Sequence, residues 1–111
     1  LVASFNEHQA EYARTLVGQY PFPIEIHTNR TGEIISLAET AISVSGSVSL
    51  ELMYHSTPSV IVYRIRHLDK RIFRQLSNVR FITLVNLLQD DELFPEFLTE
   101  RNPSQKVAEW I

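Results

Sequence analysis

Cysteine is absent from the 111 residues, so no disulfide and no cysteine-based zinc site can form. The absence fits a reducing compartment. Glycine is scarce, with three residues, and no apolar run reaches the ~18–20 residues that cross a bilayer. Repeats and low-complexity segments are missing too. The formal net charge of −3 gives none of the overall basicity of a general nucleic-acid binder. What remains is the composition of an ordinary globular chain, long enough for one modest domain.

The charges that are present fall in clusters. Six of the ten Lys/Arg lie from Arg64 to Arg80, opposed only by Asp69. Five of the thirteen carboxylates lie from Asp90 to Glu100. The basic stretch "RIRHLDKRIFR" reads first as the solvated face of an amphipathic helix over Leu68–Leu76. Its rival reading is a peripheral contact with an anionic membrane surface through Arg64, Arg66, Lys70, Arg71 and Arg74. No aromatic residues are interleaved with these charges in a binding pattern, so nucleic acid is not the expected partner. His8, His27, His55 and His67 lack ligand spacing, and no metal is expected. Asp90, Asp91 and Glu92 read as the opening of a helix near Leu93 rather than as a cation site.

Short β-branched runs alternate with helical patterns. Strands are expected at "LVAS" (1–4), "IEIHT" (24–28), "AISVS" (41–45), "SVIVYR" (59–64) and "RFITLV" (80–85). A helix over Asn6–Val17 buries Ala10, Ala13, Leu16 and Val17, with Asn6 as N-cap and Gly18 as its stop. Further helices are expected at Glu33–Glu39 and Ser47–His55, and within "ELFPEFL" and "SQKVAEWI". Trp110 is expected in a core or against another domain. Alternating strands and helices with apolar central strands imply an α/β, Rossmann-like parallel sheet flanked by helices. Ligands of such folds sit beyond the carboxyl ends of the strands.

The stretch "SGSVSLE" (45–51) occupies that kind of position. A helix starting near Ser47 leaves first-turn N–H groups without intrahelical partners, and its dipole favours an anion such as a diphosphate. Gly46 permits close backbone approach, while Ser47 and Ser49 add hydroxyls. Glu51, one turn on, could accept from two ribose hydroxyls. A capping box fails in register because position 48 is Val48, although an acidic residue near a helix start also has a purely structural use. Residue types alone leave an ordinary turn open beside the phosphate seat.

"SGSVSLELMYHSTPSVIVYR" resembles the Ser-Gly-Thr-Ala-Thr-Leu-Glu stretch and the following Pro…Tyr-Arg strand of lipid-A-disaccharide synthases. "FITLVNLLQDDELFPEFL" resembles their Ser-Leu-Pro-Asn-Leu-Leu-Ala-Gly-Arg-Glu-Leu-Val-Pro-Glu-Leu-Leu segment. The two blocks stand in the family's order and together span about residues 41–99. The resemblance implies part of the C-terminal, donor-binding domain of an inverting GT-B glycosyltransferase. Such enzymes transfer a diacylglucosamine unit from a UDP donor to lipid X, without a cofactor, on the cytoplasmic side of the membrane. It implies a UDP-sugar seat made by Ser45, Gly46, Ser47, Ser49, Glu51, Arg64 and Asn86, with Glu92 matching an acidic position of less clear role. Val85 stands where the family has Pro, and Gln89-Asp90-Asp91 stands for Ala-Gly-Arg.

On this reading residues 1–111 form a single incomplete Rossmann-like domain. "LVAS" starts inside a strand, so the domain's first strand and the acceptor domain with its general base are expected upstream. The fragment itself is expected to be inactive and prone to self-association along an exposed strand edge. The alternative is a non-catalytic Rossmann-like nucleotide-binding or interaction module.

Overall fold

The computed structural model describes residues 1–44, 46–65, 80–100 and 102–111. They fall into two compact units, Leu1–Ala38 and Glu39–Ile111. Both are α/β with parallel strands, the class expected from the sequence.

The first unit runs β1 (Val2–Ser4), α1 (Glu7–Val17), β2 (Ile26–Thr28) and α2 (Thr31–Leu37). Asn6 caps α1 as expected, its side chain accepting the Gln9 N–H at 2.9 Å. This satisfies one of the orphan donors of the first turn. Strands β1 and β2 pair in parallel, Val2 opposite Ile26 and Ser4 opposite Thr28. Glu7, at the start of α1, accepts from the Thr28 hydroxyl at 2.9 Å and pairs with Arg14. That carboxylate therefore ties the helix to the end of β2. Apolar burial here is thin: Ala10 and Ile35 are the buried hydrophobics, and Leu16 stays exposed on α1. The helix after the "NRTG" turn starts two residues earlier than the sequence reading placed it, at Thr31.

The second unit runs β3 (Ala41–Ser43), α3 (Val48–Tyr54), β4 (Ser59–Arg64), α4 (Leu84–Gln89), β5 (Glu96–Thr99) and α5 (Ser104–Ala108). Its sheet has the order β3-β4-β5, all parallel. Ser43, Ile61 and Glu96 lie in one row across it. Strand β4 is central, and Val60 and Ile61 are buried with Leu52 of α3, Val85 of α4, Phe94 and Val107. Full burial of such side chains stabilises by roughly 1.5–3 kcal/mol each. The second unit thus carries most of the core.

Two sequence expectations are overturned here. "RFITLV" is not a strand: Phe81–Thr83 is a loop and Leu84–Gln89 a helix, with the Thr83 side chain accepting from the Asn86 N–H. "ELFPEFL" is not a helix: its second half is β5, paired with β4 from Ile61–Glu96 to Arg64–Thr99. Nor does a helix begin near Leu93. Asp90 instead ends α4 in the left-handed conformation, φ 51°. The expected Leu68–Leu76 helix lies outside the described residues, as do Arg66, Lys70, Arg71 and Arg74. No described helix is long and apolar enough to cross a membrane.

Candidate functional site: the turn after β3 and the end of β4

Because β3 and β4 are parallel neighbours, their carboxyl ends lie at the same end of the sheet. Strand β3 ends at Ser43 and runs through the turn into α3, while β4 continues to Arg64. Gly46 and Ser47 are exposed. A methyl group placed on Gly46 would meet nothing within 4 Å, so the space above this backbone is open. Ser47 already has helical backbone angles and makes no side-chain cap. The first bond of the turn runs from the Ser49 N–H to the Gly46 carbonyl, at 3.2 Å. The N–H groups of Ser47 and Val48 precede that bond and have no place in the intrahelical ladder.

Ser49 points the other way. It is fully buried, and its hydroxyl donates to the Gly46 carbonyl at 2.7 Å. Its N–H and O–H therefore converge on one oxygen and lock the turn from inside. Glu51 is exposed on the first turn of α3, and its carboxylate makes no hydrogen bond or ion pair among the described residues. Arg64 is exposed at the last position of β4 and is likewise without an ion pair among the described residues. Ser45 lies outside the described residues.

Asn86 is not gathered with this group. It is fully buried on α4, and its side-chain amide donates to the Phe94 carbonyl at 2.7 Å and to Glu96 Oε1 at 3.0 Å. Its Oδ1 accepts the Phe94 N–H at 2.9 Å. Glu96 also accepts from the Ile82 N–H at 2.7 Å, the Thr83 N–H at 2.8 Å and the Thr83 hydroxyl at 2.7 Å. Both amide atoms of Asn86 are thus spent on holding the α4–β5 connection. Sequence reasoning passed over Glu96, although the Pro-Glu pair of the second block was the signal for it. Glu92 is exposed, and its N–H donates to Asp91 Oδ1 at 2.8 Å within the turn.

The departures from the family pattern have local explanations. Thr83 stands where the family has Ser, and either hydroxyl caps α4. Val85 falls in the first turn of α4, where the Pro of the family pattern is tolerated as well. Asp90 stands where the family has Gly and occupies the left-handed position that favours Gly.

A cavity of about 450 Å³ in the same unit is lined mainly by apolar groups, among them Met53, Pro58, Phe94 and Trp110. It opens where β4 and β5 begin, at the opposite end of the strands from Arg64. Trp110 is largely exposed at its rim. Among the described residues, no group of three or more His, Asp or Glu is placed to hold a metal ion.

A family model described as lipid-A-disaccharide synthetase matches residues 1–110. Similar curated proteins include the lipid-A-disaccharide synthase of Histophilus somni, 36% identical over 111 residues, covering 98% of this chain and 28% of that protein. The synthase of Rhodospirillum centenum is 35% identical over 76 residues, 68% of this chain and 19% of the relative. That of Rickettsia conorii is 32% identical over 66 residues, 60% of this chain and 15% of the relative. The chain thus spans between 15% and 28% of the length of these three relatives. With a match over nearly its whole length and the two sequence blocks folded into one α/β unit, the chain belongs to the lipid-A-disaccharide synthetase family.

Proposed function

We propose that this chain is the UDP-sugar-binding part of an inverting glycosyltransferase that joins a diacylglucosamine donor to lipid X. One observation carries the reading. An exposed, open serine-glycine turn and an arginine with no ion pair among the described residues stand at the carboxyl ends of two adjacent parallel strands. Such a position is where ligands of open α/β sheets bind. Ser47 and Val48 offer N–H groups, Ser45 and Ser47 hydroxyls, and Arg64 a positive charge to the diphosphate. Glu51, without another partner among the described residues, accepts from the ribose. Leaving-group charge on UDP is then stabilised by fixed donors and a cation, without a metal.

Ser49 and Asn86 serve this site from behind, by fixing the turn and the α4–β5 connection. Glu92 is kept outside the proposed contacts. The acceptor lipid and the general base belong to polypeptide that these residues do not span, so the fragment alone is inactive. Placement of the parent on the cytoplasmic face of the membrane, with Arg64 and the basic residues after it toward anionic lipid, belongs to the same proposal. The alternative, a nucleotide-binding module without transferase activity, draws on the acidic Asp90–Asp91 corner that replaces the family's Gly-Arg.

The test is a UDP titration of the isotope-labelled chain, followed by backbone amide NMR, with UMP and inorganic phosphate as controls. Saturable shifts centred on Gly46–Glu51, larger for UDP than for UMP, are the expected result. A folded sample with no response there would overturn the diphosphate seat.

A further inference from the structure

The cavity of about 450 Å³ at the start of β4 and β5 takes no part in the proposed nucleotide seat, which lies at the other end of the strands. Two of the hydroxyls that line it are spent on its own wall. Thr40 donates to the Pro58 carbonyl at 3.2 Å, and Ser59 donates to the Thr57 carbonyl at 2.8 Å. An occupant therefore meets mainly Met53, Pro58, Phe94 and Trp110. Leu93 and Trp110 are 52% and 64% exposed, so the apolar surface continues out to the mouth.

The mouth is acidic. Glu39 adjoins Thr40, Glu92 adjoins Leu93 and Glu109 adjoins Trp110, each an exposed carboxylate next in sequence to a lining residue. Consecutive Cα atoms are about 3.8 Å apart, so all three are rooted at the cavity's edge. Asp91 is held there too, its carbonyl accepting the Leu93 N–H at 3.1 Å. None of these four carboxylates is in an ion pair among the described residues. On the same stretches the described basic residues are His55 and Lys106. Asp91 stands where the family pattern has Arg, so the charge of this corner is reversed in this chain. Carboxylates around an apolar hollow disfavour a phosphate, a fatty-acid carboxylate or an anionic lipid surface. An apolar surface with a charged rim suits a protein partner of opposite charge.

We propose that this cavity is a docking site for a basic segment of a partner protein. Bulky apolar side chains of that segment enter the hollow, and flanking Lys or Arg side chains face Glu39, Asp91, Glu92 and Glu109. Large side chains seated in desolvated pockets dominate the energetics of interfaces. The surrounding charges set specificity and the rate of encounter. The inference is independent of the nucleotide reading.

Trp110 is the chain's single tryptophan, so its fluorescence reads the mouth of the cavity directly. The probes are end-capped peptides: Lys-Lys-Phe-Leu-Lys-Lys, its Glu-Glu-Phe-Leu-Glu-Glu counterpart, and Lys-Lys-Gly-Ser-Lys-Lys. Amide NMR shifts at Thr40 and Leu93 are the second readout, and the rest of the spectrum certifies the fold. Saturable binding of the first peptide, about tenfold or more tighter than either other and weakened by salt, supports the proposal. Asp91→Arg, which restores the residue of the family pattern, is expected to weaken that peptide about tenfold. Glu109→Lys repeats the test should the first variant not fold. No response from the folded chain at millimolar peptide overturns the proposal, as does an affinity indifferent to peptide charge or to the substitution. Octylamine binding as tightly as the first peptide also overturns it, assigning the cavity to a small amphipathic amine.

Discussion

The side-chain amide of Asn86 donates to Glu96 Oε1 at 3.0 Å, joining two polar residues of the second family-like block. Asn86 also takes both backbone groups of Phe94, while Glu96 collects the N–H groups of Ile82 and Thr83. Buried groups stripped of their partners retain their desolvation cost. Asn86→Ala is therefore expected to lower stability by about 3 kcal/mol, read as a fall in the urea midpoint with little change in slope. An unchanged midpoint would show that the amide does not hold this connection.

Asp90 gives a prediction of opposite sign. It ends α4 at φ 51°, where an L-residue is penalised and Gly is not. Asp90→Gly, the residue of the family pattern, is expected to stabilise by roughly 0.5–1 kcal/mol. Thermal or urea unfolding of the variant beside the parent decides it. A destabilised variant would mean that the Asp side chain contributes more than the backbone strain it brings.

The proposed nucleotide seat separates into parts. Glu51→Ala is expected to weaken UDP about tenfold, the scale of one charge-assisted hydrogen bond, and to leave inorganic phosphate unaffected. Arg64→Ala is expected to weaken UDP and phosphate alike and to flatten their salt dependence. Isothermal titration at two ionic strengths reads both. Equal loss of phosphate binding in Glu51→Ala would remove its assignment to the ribose.

Glu7 predicts an acid response of the first unit. Its carboxyl is held below the usual carboxylate range by hydrogen bonds from Arg14 and Thr28 and by the Arg14 charge. A carboxyl lowered on folding contributes stability above its unfolded pKa, and that contribution is lost as pH falls through the folded value. NMR chemical shifts of the α1–β2 contact should therefore titrate below the ordinary carboxylate midpoint, and Glu7→Gln should abolish that transition. Because the pair is exposed, the effect on overall stability is small.

Local signals explain which elements were legible. Asn6 announced α1 because an N-cap acts within three residues of itself. "SVIVYR" announced β4 because its buried first half leads into an unbroken apolar run, Val60–Val62, as a strand covered on both faces requires. Residues 80–99 misled for the converse reason. Phe81, Ile82 and Thr83 have strand-forming side chains, but the N–H groups of Ile82 and Thr83 donate to Glu96 rather than to a neighbouring strand. That donation spans more than a dozen residues of chain and leaves no local trace.

The amino-acid order by itself determined the alternation of strands and helices as far as β4, the cap of α1, the central strand and the turn at Gly46. Those features depend on side-chain periodicity and on contacts within a turn or two. Tertiary structure alone decided that Phe94–Pro95–Glu96 leads into a strand, that Asn86 and Ser49 face inward, and that Glu51 and Arg64 are without ion pairs among the described residues. Each of these follows from pairing across the sheet or burial against a distant element, where non-local hydrogen bonds outweigh intrinsic preference.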